Sequence, residues 1–330
     1  MSESISAARS FGEGIPPLRS RARARPWADA AHHRLLQIMA LTVLATVVLI
    51  AWEALSGALP AMRAYGLRFL LNTAWDPVAE HFGALPYLYG TMLSSALALL
   101  IALPLGLGTA VYLSELAPPR VGSAVAFVVE LLASIPSIVY GLWGLFVLAP
   151  FLRAHVEPWL IAHFGFIPLF RGYPFGIGML NAAIVLSMMI LPTIVSISRE
   201  ILLSMPRALR ESALALGATR AEAIAVTLDV ARPGILGAVI LALGRALGET
   251  MAVTMVIGNS NRISASLLAP SATMASVIAN EFSEATSNLH LSALIEIAFV
   301  LLVVTMLVNS FARALVIWST GGRRDIAGAS

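Results

Sequence analysis

Six stretches of the chain stay apolar over enough length to cross a bilayer: approximately Leu36–Leu55, Tyr87–Leu113, Val121–Phe151, Pro174–Ser198, Gly234–Gly258 and Leu291–Trp318. At about 1.5 Å of rise per residue, ~20 apolar residues span a ~30 Å hydrocarbon core as a helix. The pattern therefore predicts an all-α, polytopic membrane protein with six transmembrane helices. Residues 36–318 form the membrane domain, between a polar tail (1–35) expected to be disordered and a short second tail (319–330). Pro104, Pro136 and Pro192 fall inside three of the stretches. Each removes a backbone donor and is expected to kink its helix. Gly106, Gly108, Gly141 and Gly144 allow close helix packing.

The polar positions that interrupt this pattern carry the candidate chemistry. The fifth stretch holds Arg245 and Glu249. If that helix starts near Gly234, Arg245 lies roughly 16 Å along it, half-way through the core. A charge there costs ~2.5–3.5 kcal/mol on insertion scales, so it should face a partner or a watery path. Glu249, four residues on, shares its helix face and is expected to pair with it. One reading is an ion pair that locks two helices together; the other is an anion pathway with Arg245 as receptor. Glu130, Pro136, Ser137, Tyr140 and Thr250 are further pathway candidates. Glu130 and Glu296 read equally well as carboxylates at the interface.

Composition narrows the function classes. Hydrophobic residues make up 58% of the chain, and there is no cysteine. Disulfides, thiolate metal sites and thiol catalysis are therefore excluded. All 21 basic residues are arginine, whereas the phosphate-binding P-loop needs lysine. Any ATP-driven work thus belongs to another chain. No His-Glu-x-x-His pattern or clustered catalytic set occurs, so the chain is expected to be neither an enzyme nor a holder of a metal or cofactor. The net charge of +3 is not a nucleic-acid signal, because the arginines follow the topology. Fifteen lie in the N-terminal tail, the 114–122 turn, the 199–233 loop and the C-terminal end, against five on the other side. Excess arginine marks the cytoplasmic side, so both termini are expected in the cytoplasm.

The 199–233 loop is more than a connector. Ser204 and Pro206 suggest a helix start, and the short helix is expected to stop at Gly217. Thr219-Arg220-Ala221-Glu222 has capping-box spacing and should open a second short helix.

Glu211-Ser212-Ala213, followed by Leu214-Ala215-Leu216-Gly217, resembles the Glu-Ala-Ala-x-x-x-Gly loop of ABC importer permeases. Ser212 replaces an alanine, and Leu228-Asp229 stands where the pattern normally has Leu-Pro. The segment Gly244-Arg245-Ala246-Leu247-Gly248-Glu249-Thr250-Met251-Ala252-Val253 is similar to the signature span of the Pst phosphate importer. Phe82–Pro86, Tyr89-Gly90-Thr91, Ile135-Pro136-Ser137, Tyr140–Gly144 and Phe164–Phe170 are similar to its PstC-type permeases. The resemblance covers about Thr73 to Trp318. It implies a type I ABC importer permease fold with cytoplasmic coupling helices, in a bacterial inner membrane. It implies Glu211, Ala213, Gly217 and Arg220 as the contact to the ATPase, and Arg245 and Glu249 as the substrate pathway. The implied partners are a PstA-like second permease, two PstB-like ATPase subunits that bind ATP and Mg, and a PstS-like periplasmic phosphate-binding protein. Permeases for phosphonate, sulfate or molybdate remain alternatives, as does a passive or ion-coupled anion transporter.

Overall fold

The computed structural model describes residues 26–321, so the expected tails over 1–25 and 322–330 lie outside the described residues. The chain divides into two bodies, one up to Glu53 and one from Ala54 onward. Helix α1 (Pro26–Tyr65) begins earlier than the apolar pattern suggested. From Leu35 to Ile50 its apolar side chains are exposed all round. Such a helix suits a hydrocarbon surrounding rather than water.

In the second body, α2 (Arg68–Leu71) is a single turn, and α3 (Leu85–Val111) is a full span that widens into a π-helical turn at Tyr112–Leu116. The expected third span, Val121–Phe151, is not one helix. It is cut into α4 (Pro119–Ser134) and a second run that starts with α5 (Ser137–Trp143). The cause is local: the residue before a proline is pushed out of the α region, and Ile135 and Pro136 are both extended, with ψ of 128° and 139°. The run continues as α6 (Ala149–Phe151) and α7 (Glu157–Phe164), linked by π-helical turns at Gly144–Leu148 and Leu152–Val156. The crossing helix is thus Ser137–Phe164.

Helix α8 (Met179–Ser204) is the most enclosed span and keeps Pro192 within it. Helix α9 (Arg207–Ala215) follows, capped at Pro206, so Ser204 ends a helix instead of starting one. Helix α10 (Arg220–Gly248) opens on the expected capping box, with Thr219 and Glu222 each satisfying the other's backbone N–H. It is not short. It runs through Pro233 as one 29-residue helix that includes most of the expected fifth span. The remaining helices are α11 (Met251–Val256), α12 (Met274–Glu281) and α13 (Asn288–Gly321). Six helices in all are long and apolar enough to cross a membrane among the described residues.

Small residues let these helices approach. Ala98 and Ala102 on α3 pack with Val185, Met189 and Ile190 on α8, and this core continues through Ala242 and Ala246 of α10 to Val253 of α11. A second core gathers Phe69, Trp75, Phe82, Tyr87, Met274 and Leu294. It is pinned by Glu281, whose Oε2 accepts from Trp75 Nε1 at 2.7 Å and lies 3.1 Å from His290 Nε2. His290 stacks on Phe82 with ring centroids 5.2 Å apart.

Candidate functional site

Two interruptions of the helical backbone meet at the candidate pathway. The first is the Ile135–Pro136 cut ahead of α5; the second separates α10 from α11 at Glu249 and Thr250. Helix α5 lies against α11 because Gly141 has no side chain. A Cβ there would fall 2.8 Å from Met255 Sδ and 3.0 Å from Ala252 Cα. Tyr140 crosses the first cut, donating its hydroxyl to the Leu132 carbonyl at 2.8 Å. Arg245 lies within electrostatic range of that tyrosine.

The expected Arg245–Glu249 ion pair is not present. Helix α10 stops at Gly248, and Glu249 is extended, with φ −70° and ψ 125°. The i, i+4 register that would have stacked the two side chains is therefore lost. Glu249 Oε1 instead accepts from the Ala252 amide at 3.3 Å, inside the first turn of α11. Arg245 is in the last turn of α10, not half-way along it. There its charge complements the helix dipole. It is exposed, and it makes no ion pair among the described residues. Thr250 is partly buried, and its hydroxyl donates to the Gly248 carbonyl at 3.3 Å, within the same break.

The other pathway candidates separate. Pro136 and Ser137 form the first cut, with Pro136 exposed and Ser137 partly buried, while Tyr140 is buried beneath them. Glu130 is exposed on α4, on a helix that shows Val125, Phe127, Val128 and Leu131 to its surroundings. Glu296 is 3% exposed, and its Oε2 has no partner among the described residues. Apolar periodicity could not reveal this, because burial follows from which helices surround α13. Glu157 was also missed. It is 1% exposed and accepts from the Gly176 amide at 2.9 Å, on a segment outside the six predicted spans. Asn181 is fully buried and donates to the carbonyls of Gly144 and Gly176 at 3.2 and 2.9 Å. An asparagine inside a charge-free span was the available signal.

The four residues implied in ATPase contact cluster on α9 and its exit. Glu211, Gly217 and Arg220 are exposed and Ala213 is partly so. Gly217 has φ +89°, the left-handed conformation expected of a residue between two helices. Beside it Leu216 is 89% exposed and Leu214 46%.

Residues 102–317 match the family model described as the binding-protein-dependent transport system inner membrane component. The chain belongs to that family. It is 46% identical to a phosphate transport system permease protein PstC of Mesorhizobium japonicum, over 91% of this chain and 95% of the relative. It is 41% identical to the PstC protein of Haemophilus influenzae, over 88% and 93% of the two chains. A probable PstC protein of Methanocaldococcus jannaschii is 38% identical over 76% and 82%. The chain is thus a multi-pass transport permease, and the resemblance read in its motifs extends over most of its length.

Proposed function

We propose that this chain is the permease subunit of an ATP-driven importer of inorganic phosphate in the bacterial cytoplasmic membrane, with both termini in the cytoplasm. The observation that carries the reading is the Arg245 guanidinium, exposed and without an ion pair among the described residues, beside two breaks in the helical backbone. Its relatives' names supply the anion. Phosphate oxygens take charge-assisted, two-point hydrogen bonds from a guanidinium. With Glu249 occupied at the start of α11, Arg245 is free to meet the anion without first displacing a counter-ion. Glu249 and Thr250 hold the break in shape, and Tyr140 and Ser137 line the neighbouring cut.

A single guanidinium gives modest affinity, which suits a site that must also release its cargo. Delivery falls to a periplasmic phosphate-binding protein, and a second permease completes the pathway. Two ATPase subunits holding Mg-ATP engage α9, where Glu211, Leu214, Leu216 and Arg220 surround the Gly217 turn. Movement of that turn is passed directly to Arg245, because α10 joins the two without interruption.

Radiolabelled phosphate uptake tests this in cells that lack their own high-affinity importer and express the whole transporter. Arg245→Gln should cut uptake ~10- to 100-fold while the complex still co-purifies. Normal uptake by that variant refutes the pathway role. Excess sulfate, molybdate or phosphonate should leave wild-type uptake unchanged; full competition by one of them reassigns the substrate.

A further inference from the structure

A second concentration of arginine lies apart from Arg245. A cavity of about 330 Å³ sits between the π-helical turn after α3, the start of α4, the end of α8 and the start of α9. Its polar lining is Ser114, Arg199, Arg207 and Arg210, and no carboxylate is part of that lining. At ~30 Å³ per water, the space holds on the order of ten waters, enough for a small hydrated anion.

Three observations suggest that the cavity is built to bind. Arg199 and Arg210 are partly buried against the cavity and Arg207 is exposed, so two of the three guanidinium groups are held within the fold. A partly buried charge calls for a partner of opposite sign. Arg210 is held in place from behind, its terminal nitrogen donating to the Glu115 carboxylate and, at 3.1 Å, to the Leu202 carbonyl. That leaves one guanidinium of three with a charge partner among the described residues. Finally, Pro119 and Arg207, the first residues of α4 and α9, both line the cavity. Two helix N-termini therefore border it and favour negative charge.

We propose that this cavity is a second anion site, taking a phosphate-bearing group on the face of the permease that carries α9. The ligand is either inorganic phosphate or the phosphodiester of an anionic lipid headgroup, since both present the same oxygens to the arginines. Ile201, two residues beyond Arg199, packs against Gly234 of α10, which stands 11 residues before Arg245 and so roughly 16 Å from it along the helix; the two sites are separate. The identity of the face as cytoplasmic rests on the proposed function; the site itself does not.

The test uses the full chain carrying Arg245→Gln, so that the pathway site is not read, with and without Arg199→Gln/Arg207→Gln. In one arm, inorganic phosphate binding to delipidated protein is measured by equilibrium dialysis. In the other, native mass spectrometry counts lipids retained from vesicles of phosphatidylcholine with phosphatidylglycerol, against phosphatidylcholine alone. Loss of two charged donors should weaken binding at least ~10-fold in one arm or both. A difference in the first arm alone identifies free phosphate; one in the second alone identifies the headgroup. Less than a twofold difference in both overturns the site. Phenylglyoxal labelling of the unmutated chain guards against misfolding of the variant. Arg199 and Arg207 should be protected by phosphate or by phosphatidylglycerol while exposed Arg63 is not. Equal reactivity in all conditions also overturns the proposal. If wild-type uptake fails but protection is seen, the transport reading falls and the anion site stands.

Discussion

Replacing Arg245 and Glu249 singly and together distinguishes the arrangement seen here from a buried ion pair. Breaking such a pair by removing one partner strands the other charge and costs ~3–5 kcal/mol. The structure sets much smaller values. Glu249→Ala loses the carboxylate that accepts from the Ala252 amide at 3.3 Å. Comparable helix-start contacts are worth ~0.5–2 kcal/mol, and this long one belongs at the low end. Arg245→Met removes an exposed cation from the end of α10, worth ~0.3–1 kcal/mol through the helix dipole. Because the two side chains share no contact, the double variant should equal the sum of the singles within ~0.5 kcal/mol. Denaturant titration of all four proteins in mixed micelles measures this. Uptake should fall ~10- to 100-fold for Arg245→Gln, the worth of a charged hydrogen bond at ~1.5–3 kcal/mol. Arg245→Lys should lie between, since an ammonium cannot make the planar two-point contact. A coupling free energy above ~1.5 kcal/mol between positions 245 and 249 would refute the reasoning and restore the ion pair.

The α9 exit gives a second prediction. Gly217 has φ +89° and nothing within 4 Å of where a Cβ would stand, so the cost of a side chain is conformational. Gly217→Ala should destabilise by ~1–2 kcal/mol and Gly217→Asn by less, because asparagine tolerates the left-handed region. Equal melting of the three in detergent would contradict this, and Gly217→Arg should in addition lose ATPase co-purification and uptake. At Gly90 a Cβ would come within 2.0 Å of the Ala272 carbonyl oxygen. Gly90→Ala should cost ~1–3 kcal/mol by overpacking, read as a lower melting temperature on fluorescence-detected size exclusion; an unchanged value would mean the two segments separate freely. A periplasm-dependent phosphatase reporter fused after Trp318 should be silent, and activity there would reverse the proposed orientation.

Local chemistry determined a large part of this molecule. Six long apolar runs give six crossing helices, because burying backbone in hydrocarbon leaves only a helix or a closed barrel. Thr219 with Glu222 starts a helix, and Gly217 turns left-handed, because both depend on neighbours a few residues away. The Glu211–Gly217 loop and the Gly244–Val253 run carried the family for the same reason. Other features depended on contacts that no spacing reveals. Helix α10 ends at Gly248 and not near Gly258, in a packing where α11 turns onto α5 at Gly141. That break is what separates Arg245 from Glu249, against an i, i+4 rule that assumes an unbroken helix. Pro136 was expected to kink one long helix, and only the structure showed it to be a cut. Burial of Glu157, Glu296 and the Glu281–His290 pair, and the convergence of Arg199, Arg207 and Arg210 on one cavity, involve residues brought together from different helices. Hydrophobic periodicity reports which face of a helix turns inward, but it does not report which partner that face meets.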